Sequence, residues 1–194
     1  MAQRLHQTRP VTHHSRGFTL VEMMIVVVIV SILSTLAVLG YRKLVQSAHV
    51  SEATTMVNNI RVAQEAYHAE TQSYANCMPD LTSGTSWYPV KSVYGITTQW
   101  GGTCAHCNAL LDISQVLPVH VDGPVLFGYA TIAGAAAASG TTVTNNCNLS
   151  SLTSPTTDWY AVAAEGDLDG LPSTTTDVCA VSWSNIITVY NEGL

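Results

Sequence analysis

Charge is scarce in this chain. Lys, Arg, Asp and Glu make up 10% of its 194 residues. No acid precedes Glu22, and no charge follows it until Arg42. No cysteine precedes Cys77, although five occur from there on. Neither G-x-S-x-G nor H-E-x-x-H is present, and no internal repeat is visible. These absences exclude whole classes. A net charge of -6 argues against nucleic acid as the main partner. Without a nucleophile elbow or a zinc-protease motif there is no catalytic constellation. His49, His68, His106 and His120 then read as surface residues, and the chain as a non-enzyme. The length suits one moderate domain with an accessory element.

What is present begins with an apolar run. Met23 through Tyr41 is uncharged over 19 residues. As a helix that is roughly 28 Å, against a bilayer core of about 30 Å. Arg4, Arg9 and Arg16 precede it, which keeps the N-terminus cytoplasmic and sends the rest outward across the inner membrane. An ordinary signal peptide fits poorly. The run is too long for an h-region, and Ser34-Thr35-Leu36-Ala37 is a poor cleavage site. Within this run Glu22 is anomalous. A carboxylate at the centre of a membrane segment costs roughly 2.5–3.5 kcal/mol. It needs a partner, or it must snorkel to the interface. No cation after Glu22 lies near it in sequence, but a free amino terminus at Phe18 would supply one.

"Arg16-Gly17-Phe18-Thr19-Leu20-Val21-Glu22" followed by the long apolar helix resembles the prepilin processing motif of type IV pilins and pseudopilins. The resemblance is good from residue 15 to about 75 and covers the remainder only in general layout. It implies that a membrane prepilin peptidase/methylase cuts after Gly17 and methylates Phe18. It also implies that Glu22 pairs with the terminal amine of a neighbouring subunit. Two charges that are each costly in lipid or in a filament core become tolerable together. Cleavage would leave 4 basic and 13 acidic residues, a net charge of -9.

Apolar positions continue beyond the span at Leu44, Val45, Ala48, Ala53, Met56, Val57, Ile60, Ala63 and Tyr67, mostly three or four apart. Arg61, Gln64, Glu65 and His68 fall on the opposite side. This predicts one helix over residues 18–74, roughly 85 Å long, with an amphipathic half that needs a sheet to cover it. "AVLGYRK" has no proline, so Gly40 is its only weak point, where a bend or local melting is expected. After Tyr74 the composition shifts to Gly, Ser, Thr, Asn and Pro between β-branched clusters. Residues 87–96, 124–133, 158–166 and 178–190 read as strands, and 134–157 as loop. Local connections favour an antiparallel sheet. The expected fold class is α+β, a type IV pilin-like long N-terminal helix packed on a C-terminal antiparallel head. The expected segments are a leader (1–17), a membrane or filament-core half-helix (18–40), an amphipathic half-helix (41–75) and the head (76–194).

The five cysteines suit an oxidising compartment. Two disulfides and one thiol is the reading adopted, with Cys104–Cys107 and Cys147–Cys179 the preferred pairs and Cys77 left over. A zinc site would need further well-spaced ligands. Asp167, Asp169 and Asp177 form a tentative calcium set, kept open because some pseudopilins bind calcium in a C-terminal loop. An Asp-Gly turn is the favoured alternative, and no cofactor is otherwise expected.

The implied function is structural: a major or minor pilin in a homo-oligomeric filament with other pilins, built by an inner-membrane assembly platform. Its alternatives are a secretion pseudopilin and a membrane-anchored adhesive head. An exposed aromatic patch from Trp87, Tyr88, Trp100 or Trp183 would support the adhesive reading.

Overall fold

The computed structural model describes residues 17–78, 81, 87–89, 95–101, 113–136, 156–171 and 174–192. They form an α+β protein: one long helix, then antiparallel sheet. The chain divides into two compact units, Met1–Tyr41 and Arg42–Leu194.

Helix α1 runs Leu20–Thr71 without a break. Its start is set by Thr19 and its end by Gln72, which adopts a left-handed φ of 58°. A residue in that conformation cannot continue a right-handed helix. The expected melting at Gly40 is not seen, because helical geometry continues through it. A side chain there would meet nothing within 4 Å, so nothing nearby in this structure requires glycine. In the first unit every α1 side chain is exposed. Residues 25–30 are all β-branched and individually mediocre helix formers. In an apolar medium a helix is nonetheless favoured, since it satisfies every backbone group within the segment.

In the second unit α1 buries Ala53, Met56, Val57, Ile60, Ala63 and Gln64. The stripe begins later than the spacing predicts. Leu44 is exposed and Val45 half-buried. Gln64, expected on the opposite face, is fully buried.

The main sheet has the order β3-β4-β5-β6 and is antiparallel throughout. Its strands are β3 (Gly128–Gly134), β4 (Trp159–Gly166), β5 (Thr176–Val181) and β6 (Ser184–Tyr190). A second ribbon pairs β1 (Thr98–Gln99) with β2 (Pro124–Val125), and α2 (Ile113–Val116) is a single turn. Three of the predicted strands are therefore present in substance. Residues 178–190 split into two strands at Ser182–Trp183. Of 87–96, only Tyr88 pairs in the described part, through reciprocal 2.8 Å backbone bonds with Tyr129. Residues 137–155 of the predicted loop lie outside the described residues.

The two central strands are buried almost throughout. Small residues make this close packing possible. A Cβ on Gly134 would lie 2.7 Å from the Trp159 ring, and one on Gly166 would lie 2.8 Å from Phe127.

Candidate functional site

The N-terminal end of α1 gathers the residues that the motif singles out. Gly17 and Phe18 precede the helix and are exposed, Phe18 at 77%. A side chain on Gly17 would meet nothing within 4 Å.

Thr19 and Glu22 are locked together. The Thr19 N–H donates to Glu22 Oε2 at 2.9 Å, and the Thr19 hydroxyl donates to the same oxygen at 2.7 Å. In return the Glu22 N–H lies 3.2 Å from Thr19 Oγ1. This is a reciprocal capping box, in which two otherwise orphaned backbone donors are satisfied. Sequence reading missed it, although its T-x-x-E signature was legible in Thr19-Leu20-Val21-Glu22. The pattern also answers part of the Glu22 anomaly. The helix N-terminus carries partial positive charge and free N–H groups, so a carboxylate is stabilised there. No cation is needed within the subunit to make the position tolerable.

Beyond Glu22, α1 is long and apolar enough to cross a membrane, and the apolar window is wholly unburied. Its exposed residues include Met24, Val27, Ile32, Leu36 and Leu39.

In the head, Asp167, Asp169 and Asp177 do not form a metal cluster, and no such cluster occurs among the described residues. The first two organise the β4–β5 connection. Asp167 Oδ1 accepts from the N–H of Asp169 (3.2 Å) and Gly170 (2.7 Å). Asp169 accepts from the Leu171 N–H (2.8 Å) and the Thr174 hydroxyl (2.7 Å). Those bonds, led by the Thr174 hydroxyl, hold the Asp169 carboxyl below its ordinary range. Gly170 sits at φ +80°, as such a turn requires. Asp177 lies apart on β5, buried. The Asp-Gly turn accounts for the first two residues.

Of the cysteines, Cys77 is buried, and Cys179 is buried on β5 and disulfide-bonded. Cys104, Cys107 and Cys147 lie outside the described residues. The aromatic patch is not formed. Trp87, Tyr88 and Trp100 are core residues, and Trp100 packs edge-on against Tyr88 and Tyr129. Trp183 is partly exposed and rests edge-on against Trp159, 6.4 Å between centroids. The histidines are local. His49 lies 3.6 Å from Glu52, His68 stacks on Tyr74, and His120 sits 3.2 Å from Asp122.

Comparison with known proteins bears on the same end of the chain. The family model of the prokaryotic N-terminal methylation motif matches residues 12–38. The match covers the start of the apolar helix and the residues before it, not the head. Over 62 residues the chain is 37% identical to the type IV major pilin protein PilA of Myxococcus xanthus (strain DK1622). The matched stretch is 32% of this chain and 28% of that relative. No solved structure matches.

Proposed function

We infer that this chain is a filament subunit, a major or minor type IV pilin. Residues 1–17 form a leader that prepilin peptidase removes by cutting between Gly17 and Phe18, and the Phe18 amine is then methylated. Residues 18–40 anchor the subunit in the bacterial inner membrane before assembly and form the filament core afterwards. Residues 41–75 carry the head, 76–194, with the pairs Cys104–Cys107 and Cys147–Cys179 as its proposed staples. The inner-membrane assembly platform and other pilins are its partners.

One observation carries this reading: a single carboxylate opens a long helix whose apolar window is wholly exposed. An exposed apolar surface of this size must be covered, first by lipid and then by neighbouring helices. A neighbour's Phe18 amine supplies the counter-charge that Glu22 lacks in one subunit. The adhesive-head alternative loses the feature that would have favoured it, because three of its four aromatics are buried.

Two measurements test the reading. The intact mass of the surface protein should correspond to residues 18–194 with one added methyl. Glu22→Ala should leave a processed, membrane-resident subunit that yields no sheared fibres when it is the sole major subunit. Wild-type fibre yield from Glu22→Ala would sink the pairing role.

A further inference from the structure

An open groove of about 470 Å³ lies where α1 passes the residues that lead into β2. Ala48, Met56, Val121, Pro124 and Val125 give it apolar walls, and Glu52 stands among them. A second carboxylate, that of Asp122, projects to solvent between two of the lining residues. Each acid has a histidine beside it, His49 at 3.6 Å and His120 at 3.2 Å. The groove is therefore apolar within and acidic at its rim. We propose that it receives Arg42 and Lys43 of a second copy of this chain, with their alkyl stems on the apolar walls and their charged heads on Glu52 and Asp122. The proposal rests on the filament reading above and names one contact between its subunits.

Arg42 and Lys43 have the chemistry that such a groove selects. Long basic side chains cover apolar surface with their stems while the charged head stays at the rim. They are two of the four Lys or Arg residues that follow residue 17, and both are exposed. Neither forms an ion pair with a described residue. The nearest acid in sequence is Glu52, nine residues beyond Lys43. Helix geometry keeps these two apart in one chain, because nine residues rise about 13 Å and turn about 180°. Membrane topology does not call for the cations either. They follow the apolar run, on the side opposite Arg4, Arg9 and Arg16, which the positive-inside bias leaves poor in Lys and Arg. The groove and the cations also lie on different sides of α1, so the contact is heterologous. Each copy offers its groove to one neighbour and its cations to another, and such a contact builds an open filament when it does not close into a ring.

The test uses the full chain in isolated membranes and in sheared fibres. A zero-length carbodiimide joins an amine to a carboxylate only where the two touch. It should give a dimer that carries a Lys43–Glu52 or Lys43–Asp122 peptide, read by mass spectrometry. In parallel, Glu52→Lys should lower fibre yield per mature subunit about tenfold or more, the scale of a like-charge contact. Arg42→Glu with Lys43→Glu should do the same, and combining all three substitutions should restore most of the yield. Absence of the linked peptide from both pools overturns the groove contact. Wild-type yield from Glu52→Lys overturns it as well. So does a loss that the combined variant fails to restore, the pattern expected if the cations serve lipid headgroups. A linked dimer in membranes of cells that make no fibres keeps the contact and removes the filament reading instead.

Discussion

Gln64 on α1 closes a ring with the backbone of Ala75. Its Oε1 accepts the Ala75 N–H at 2.9 Å and its Nε2 donates to the Ala75 carbonyl at 2.8 Å. The same Nε2 reaches the Thr131 hydroxyl on β3 at 2.9 Å, and that hydroxyl donates to the Ala161 carbonyl on β4 at 3.2 Å. One amide thus ties the helix to the chain segment leaving it and to two strands. All of these groups are buried, so each would be costly without its partner.

Gln64→Ala should therefore destabilise the head by about 2–4 kcal/mol, since two buried backbone groups lose their partner. Thr131→Val should cost less, about 1 kcal/mol, because Nε2 keeps the Ala75 carbonyl. Thermal melts of the two variants in micelles check the order. Equal small losses would mean that water replaces the amide.

Gly134 should tolerate no side chain. It faces Trp159 directly across the β3–β4 ladder, and a methyl there would enter the indole at 2.7 Å. Trp159 is buried and hemmed in by Trp183, so the ring has little room to retreat. Gly134→Ala should cost about 1–3 kcal/mol, the usual range for overpacking. Gly40→Ala is the control, since its methyl meets nothing and it should gain about 1 kcal/mol of helix propensity. The contrast is read from melting temperatures.

These two residues also mark how far the sequence is legible. The long helix and most of the strands follow from hydropathy period and composition, because those signals reflect burial itself. The residues proposed for processing follow from a motif that is almost entirely local. Gln64 was misplaced for a physical reason. A polar residue at a core position looks like a surface residue until its partners are known, and Ala75, Thr131 and Ala161 are distant in sequence. The aromatics failed in the opposite direction. Trp87, Tyr88 and Trp100 carry the composition of a binding patch, but the same residues fill a core, and only packing decides between the two uses. Thr19 is different again, since its capping signature could have been read without any structure.

Alkaline titration should unfold the head late and cooperatively. Burial pushes the Tyr160 phenol up to about 12, against an ordinary value of 10.0. Burial, aided by the Glu52 carboxylate, moves Tyr129 upward as well. A raised folded-state pKa means that the neutral form is favoured in the fold. The resulting stability is fully present below about pH 10 and is lost as pH rises through about 12. Phenolate absorbance from the buried pair should appear only together with loss of near-ultraviolet circular dichroism. Ionisation of all tyrosines near pH 10 with the fold intact would contradict the burial.

The acidic loop separates a turn from a calcium site. If Asp167 serves the turn, what matters is an acceptor oxygen for the N–H groups of Asp169 and Gly170. Asp167→Asn keeps that oxygen and should cost under about 1 kcal/mol, while Asp167→Ala strands both donors and should cost about 1–2 kcal/mol. A calcium site would rank the two differently. Asparagine removes a negative charge from a hard cation's ligand set, so affinity would fall for both variants. Calcium would then raise the wild-type melting temperature by mass action, and a chelator would lower it. The turn predicts no response to either addition, and a clear gap between Asn and Ala in their absence. A chelator-sensitive melt in the wild type that vanishes in Asp167→Asn would overturn the turn and restore the metal.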